Sequence, residues 1–152
     1  MIAGMRLVAL ASSVFTPFEP KFVGTNSVDV TLDSKFWIQK FNATSSQHID
    51  LSSLPEEDEI YTVTDTSMFY LRPKQFIKAQ TAEKFAMPEG VTGMFSLRSA
   101  MAQAGLEQST SVWVRPSWEG HLILELSNLT ERTLILREGL RIGQVHFFAT
   151  QE

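Results

Sequence analysis

Apolar and polar residues alternate with a period of two along most of this chain. The runs are residues 28–32, 36–41, 48–51, 60–63, 68–71, 76–80, 111–114, 121–126, 133–136 and 141–148. Period two sends successive side chains to opposite faces, so each run predicts a half-buried strand. Turn formers separate them: Gly24-Thr25-Asn26, Asp33-Ser34, Pro55-Glu56-Glu57-Asp58, Arg72-Pro73, Pro88-Glu89-Gly90 and Glu138-Gly139. Short strands with such punctuation predict an all-β barrel or sandwich. Residues 99–105, rich in alanine and closed by Gly105, predict a short helix. A second short helix near the N-terminus is compatible with the pattern. The acidic run from Glu56 to Glu59 predicts a solvated loop.

Composition narrows the classes. The chain has 152 residues, which suits one domain over 1–152. With 43% hydrophobic residues it can bury a core. A net charge of −4 argues against sequence-independent binding of nucleic acid, which needs a basic footprint. With no cysteine, thiolate catalysis, disulfides and Cys-zinc sites are excluded, and His48, His121 and His146 show no metal-ligand spacing. No metal ligands are therefore expected. The start, MIAGMRLVALASS, has too short an apolar run for a secretory leader, and no run reaches the ~20 residues of a membrane helix. A cytoplasmic protein without membrane contact is the expectation. The triplets Asn42-Ala43-Thr44 and Asn128-Leu129-Thr130 read as chance.

Several positions carry candidate chemistry. Arg98-Ser99 stands at a strand-to-helix junction, where free backbone N–H groups and a guanidinium suit a phosphate. Equally, Ser99 can be an ordinary N-cap beside a solvated arginine. Glu125 shares a strand face with Ile123, while Leu124 and Leu126 point the other way to the core. Its carboxylate either meets water or enters a cleft where burial suits it to proton transfer. Trp113 and Trp118 bracket Arg115 and could stack a base or the guanidinium, or simply pack. His121 follows the turn and could serve in acid–base chemistry. Gly143 inside the last strand predicts a bulge or a close backbone approach, with Gln144 beside it as a polar contact.

Assembled in order, these segments resemble the dCTP deaminase and dUTPase superfamily, and more closely its deaminase branch. TPFEPKFVGTNSVDVTL (16–32) is similar to the opening N-S-x-D strand, and MFYLRPKQFIKAQTAEKFAMPEGVTG (68–93) to the L-x-P…T-x-E stretch. LRSAMAQAGL resembles the phosphate motif G-R-S-S-L-A-R-x-G-L. VWVRPSWEGHLILELSN resembles the D-P-G-W…L-E…N segment, and REGLRIGQVHFF the closing G-M-x-I-G-Q strand. The resemblance implies a distorted β-barrel that assembles as a homotrimer with sites between subunits. It implies a pyrimidine deoxynucleoside triphosphate as substrate, Mg²⁺ on its phosphates and no zinc. Arg98 and Ser99 match the phosphate pair. Glu125 matches the proton-shuttling glutamate, with Ser99 helping to place the water. Gln103, Trp113, Arg115 and Gln144 fall on nucleotide-contacting positions.

Departures accompany the matches. Ala100 replaces the motif's second serine, Gln103 its second arginine, and Arg115 the aspartate of the later motif. The segment between Leu106 and Val112 is about one residue short. The family's C-terminal tail, which closes over the triphosphate, is expected to be missing or replaced. Three functional readings follow. The first is a divergent deaminase acting on a deoxycytidine or modified-pyrimidine triphosphate. The second is a nucleotide-binding trimer without turnover. The third is a structural trimer with a vestigial cleft, acting through exposed apolar surface near Trp37 or Phe147.

Overall fold

The computed structural model describes residues 1–40, 48–108 and 111–150. The chain opens with helix α1 (Gly4–Val14), on which Leu7, Ala11 and Val14 fall on one stripe and are fully buried. Ile2 N–H donates to Phe147 O at 2.7 Å, tying the start of the chain to its last strand. The strands are β1 (Phe15–Thr16), β2 (Val28–Gln39), β3 (Tyr61–Asp65), β4 (Met68–Leu71), β5 (Phe76–Ala86), β6 (Val91–Leu97), β7 (Leu106–Glu107), β8 (Trp113–Val114), β9 (Glu119–Asn128), β10 (Leu134–Arg137) and β11 (Arg141–Ala149). Helices α2 (Glu57–Ile60) and α3 (Ser99–Gln103) and a 3₁₀ turn at Pro20–Phe22 complete the fold. The protein is mainly β with few short helices.

One antiparallel sheet runs in the order β7-β9-β5-β2-β11-β6-β8, with β1 joined to β5 and β3 to β2. Its two ends are consecutive in the chain, since β7 ends at Glu107 and β8 starts at Trp113. Six flat interstrand spacings of ~4.8 Å would need about 29 Å, whereas six Cα steps reach only about 21 Å. The sheet must therefore curl, and it does so as an open half-barrel. Leu32, Phe36, Ile77, Phe85, Phe95, Leu124, Leu126 and Phe147 fill the concave side. Phe15 packs edge-on against Phe85 at 4.8 Å, and Phe36 stacks on Phe69 at 4.7 Å. The second contact docks the small β4–β10 sheet onto the large one.

The local expectations need correction at several places. Residues 28–32 and 36–41 are not two strands. Asp33-Ser34 makes no reversal; β2 continues through it, with a register shift against β5 between Leu32 and Phe36. The Asp33 carboxylate accepts Ser34 N–H at 2.7 Å and the Gln80 amide at 2.6 Å, satisfying the irregular backbone in place of a turn. Phe41 and the Asn42 triplet lie outside the described residues. The strand expected at 48–51 is absent. Asp50 instead accepts the Ser52 N–H and hydroxyl at 2.9 and 2.6 Å, a local bond that competes with ladder pairing. The acidic run is not a loop but helix α2, closed by a capping box in which the Glu56 and Glu59 side chains reciprocally cap backbone N–H groups. β1, β6 and β7 escaped the period-two reading. In β6 the blank is Gly93, buried beneath Val145.

The Asn128 triplet is part of the framework. The side chain is fully buried, donates to Leu71 O and Arg132 O, and accepts from Thr130. Trp37 and Phe147 are themselves buried; the exposed apolar residues near them include Val63, opposite Trp37, and Trp113, beside Phe148. No helix among the described residues is long and apolar enough to cross a membrane.

Candidate active site

β6 ends at Leu97, and Arg98 turns the chain into α3. The N-cap position belongs to Arg98 in extended conformation, not to Ser99. Arg98 N–H donates to Ile142 O at 3.0 Å, while its carbonyl accepts Met101 N–H at 2.9 Å. No side-chain hydrogen bond caps α3. The ordinary capping role weighed for Ser99 is thus unused, and its hydroxyl is exposed. Arg98 is half-buried, and its guanidinium has no ion pair among the described residues.

Gln144 belongs to the same end of the sheet. It lies opposite Ser96 of β6 on one side and Asp29 of β2 on the other. It can occupy that place because Gly143 lets β11 bulge and approach β6. A Cβ on Gly143 would overlap the Phe95 ring and come within 2.7 Å of Ser96 O. The close backbone approach expected from sequence is therefore present. Gln103 ends α3 and is exposed.

The tryptophans divide. Trp118 packs edge-on against Phe85 at 6.0 Å, the framework role. Trp113 is 59% exposed and, among the rings of the described residues, touches only Phe148, at 6.2 Å. Neither ring takes up Arg115, which is exposed in the turn before Gly120. His121 does not reach toward Glu125: its Nδ1 lies 2.9 Å from Thr81 O, beside buried Glu83.

Glu125 occupies the middle of β9, directly opposite Lys78 of β5. Leu124 and Leu126 are fully buried in the core, so Glu125 and Lys78 share the convex face. Glu125 is half-buried, and its Oε2 is enclosed without any hydrogen-bond partner. A buried carboxylate oxygen with no donor is costly and calls for an explanation. Gln108 Oε1 and His146 Nδ1 are in the same state.

Arg98, Ser99 and Gln144 thus meet at the β6–β11 end. Glu125 is separated in the ladder from Arg98-Ser99 by β5, β2 and β11, and from Gln144 by β5 and β2. The link is α3, which carries the chain from β6 to β7, and β7 pairs with β9 through Leu106–Asn128 and Glu107–Ser127. Among the described residues no three His, Asp or Glu converge as a metal site. Sequence reasoning missed Glu83 and Lys78. The only signal for Glu83 was the Thr81-Ala82-Glu83 match to the T-x-E stretch.

A family model described as dCTP deaminase-like matches residues 4–150. The chain belongs to the dCTP deaminase-like family. Among the family's members, the dUMP-forming dCTP deaminase of Corynebacterium efficiens is 34% identical over 134 residues, covering 87% of this chain and 68% of that one. Among solved structures, the 2′-deoxycytidine 5′-triphosphate deaminase of Agrobacterium tumefaciens superposes with a TM-score of 0.66 at 17% identity, covering 86% of this chain and 41% of that one. The dUTPase of Streptococcus mutans gives 0.54 at 17% identity, covering 85% and 81%. At such identity the superpositions show the common fold alone.

Proposed function

We propose that this chain is a zinc-free deaminase of deoxycytidine, or modified-pyrimidine, triphosphate, working as a homotrimer. The observation that carries the reading is Glu125: a mid-strand carboxylate with one oxygen enclosed and unpartnered. In the proposed reaction water adds to C4 of the ring and gives its proton to Glu125. Glu125 passes that proton to the ring nitrogen, then takes the proton of the new C4 hydroxyl and delivers it to the departing amine, so that the carbon–nitrogen bond breaks, C4 becomes a carbonyl and ammonia leaves. Arg98 and the Ser99 hydroxyl hold phosphate, and Ser99 also helps to place the water. Gln103, Trp113, Arg115 and Gln144 contact base or sugar.

The relatives are dUMP-forming. By analogy the overall balance is dCTP plus two waters giving dUMP, ammonia and pyrophosphate. Mg²⁺ would arrive as counterion of the triphosphate, because the described residues assemble no metal centre of their own. Its chemistry there is charge neutralisation on the phosphates. In the trimer, Glu125 of one protomer would face the Arg98-Ser99 corner of a neighbour.

The test is product chromatography with purified protein, Mg²⁺ and a panel of deoxynucleoside triphosphates. Conversion of a cytosine nucleotide is expected, with Glu125→Gln lowering kcat by ~10² or more, the scale of a lost general acid–base group. Arg98→Ala should weaken triphosphate binding by ~1.5–3 kcal/mol in calorimetry, the scale of a charge-assisted bond. No product from any nucleotide sinks the enzyme reading. Binding without product selects instead the nucleotide-binding trimer. The substitutions at Ala100, Gln103 and Arg115 favour that second reading.

A further inference from the structure

Lys78 is the cation that register places against Glu125, yet no ion pair joins them. The ammonium turns the opposite way across the convex face, toward β2 and β3. It donates to Glu57 Oε2 at 2.9 Å and lies 4.4 Å from the Tyr61 ring centre and 5.4 Å from that of Trp37. Its side chain is only 17% exposed. Three attractions therefore converge on one ammonium: a carboxylate from α2 and two aromatic faces. Other charges on this face include Lys35, which lies over Trp37 at 4.8 Å, Asp65, opposite Lys35 on β3, Asp33, which accepts the Gln80 amide, and Glu107, on β7 opposite Ser127 of β9.

We propose that Glu57, Tyr61 and Trp37 hold Lys78 off Glu125, leaving that carboxylate without a counter-ion and able to accept a proton. Lys78 and Glu57 are positioning residues here; neither touches the reacting atoms. Directly opposed residues on one sheet face have Cβ atoms ~4.5–5.5 Å apart, so a released lysine reaches Glu125 by rotamer change alone. An ammonium on Glu125 would favour its charged form and oppose its protonation. The catalytic part of this inference rests on the deaminase reading; the holding of Lys78 does not.

Glu57 is exposed, so Glu57→Gln is expected to fold, as checked by thermal melting. Tyr61→Leu is a second route to the same release. Two readouts separate the claims. In ¹³C NMR of the intact protein, the Glu125 carboxyl should titrate at lower pH in E57Q than in wild type, and return when Lys78→Met is added. In steady-state kinetics E57Q should lose about tenfold in kcat with KM for dCTP little changed, and E57Q/K78M should recover most of it. An unchanged Glu125 titration in both E57Q and Y61L overturns the inference. The NMR shift without turnover in wild type upholds the holding of Lys78 and sinks the deaminase reading alone.

Discussion

Glu83 shows how a single residue can fasten three strands. It is 5% exposed, and both carboxylate oxygens receive Thr31 N–H, at 3.1 and 2.9 Å, while the Thr31 hydroxyl donates at 2.8 Å. Thr81 donates to Glu83 O at 2.8 Å and accepts Leu122 N–H at 3.0 Å. The group spans the irregular step where β5 shifts register against β9, between Gln80 and Lys84. Loss of water around the carboxyl raises its pKa above the ordinary 4.5, and the bonds from Thr31 pull only partly back. A raised native pKa means that the folded protein binds this proton more tightly than the unfolded chain. Glu83's contribution is therefore full below the ordinary value and declines as pH rises through the raised one. Urea unfolding from about pH 4 to 8 should show a flatter stability profile for Glu83→Gln than for wild type. Equal slopes would remove Glu83 from the titration. Beyond the T-x-E match nothing local in the sequence marks this residue: its partner Thr31 is 52 positions away.

At the scale of elements, periodicity is a good guide where one face is buried and the other wet. It served for β4, β9 and β11. It failed for β6, where Gly93 occupies a buried position and blanks the alternation. It also divided β2 at Asp33-Ser34, because a bulge and a turn use the same residue types. Helix α1 was legible only as a weak possibility, since its apolar residues Leu7, Ala11 and Val14 gain meaning from the Phe15, Phe85 and Phe147 cluster. The bulge at Gly143 was legible, and it makes a firm expectation. Gly143→Ala forces a methyl into the Phe95 ring and the Ser96 carbonyl. It should cost ~1–3 kcal/mol in denaturant unfolding, the range for overpacking a filled core. A change below the error of that measurement would mean β11 can relax away from β6.

At the scale of the molecule, an open half-barrel leaves Arg98-Ser99 and Glu125 on flanks four ladder steps apart. The proposed site closes only if a neighbouring protomer supplies the missing side. Exposed apolar residues give that assembly material: Trp113, and Tyr70 paired with Ile135 across β4–β10. Light scattering on the purified chain should therefore give about three times its 17.1 kDa. A stable monomer at micromolar concentration would refute a site shared between protomers.

What the residues alone determined is what depends on short-range order. Strand periodicity, the glycine-dependent bulge, the absence of thiol chemistry, and the ordered motifs that mark the dCTP deaminase-like family are all written along the chain. What only the tertiary structure decided depends on contacts distant in sequence. It closed Glu83 onto Thr31, enclosed Glu125 Oε2, and drew the ammonium of Lys78 to Glu57 and two aromatic rings. Burial and electrostatics act through space, and no local pattern encodes which distant group will share a face.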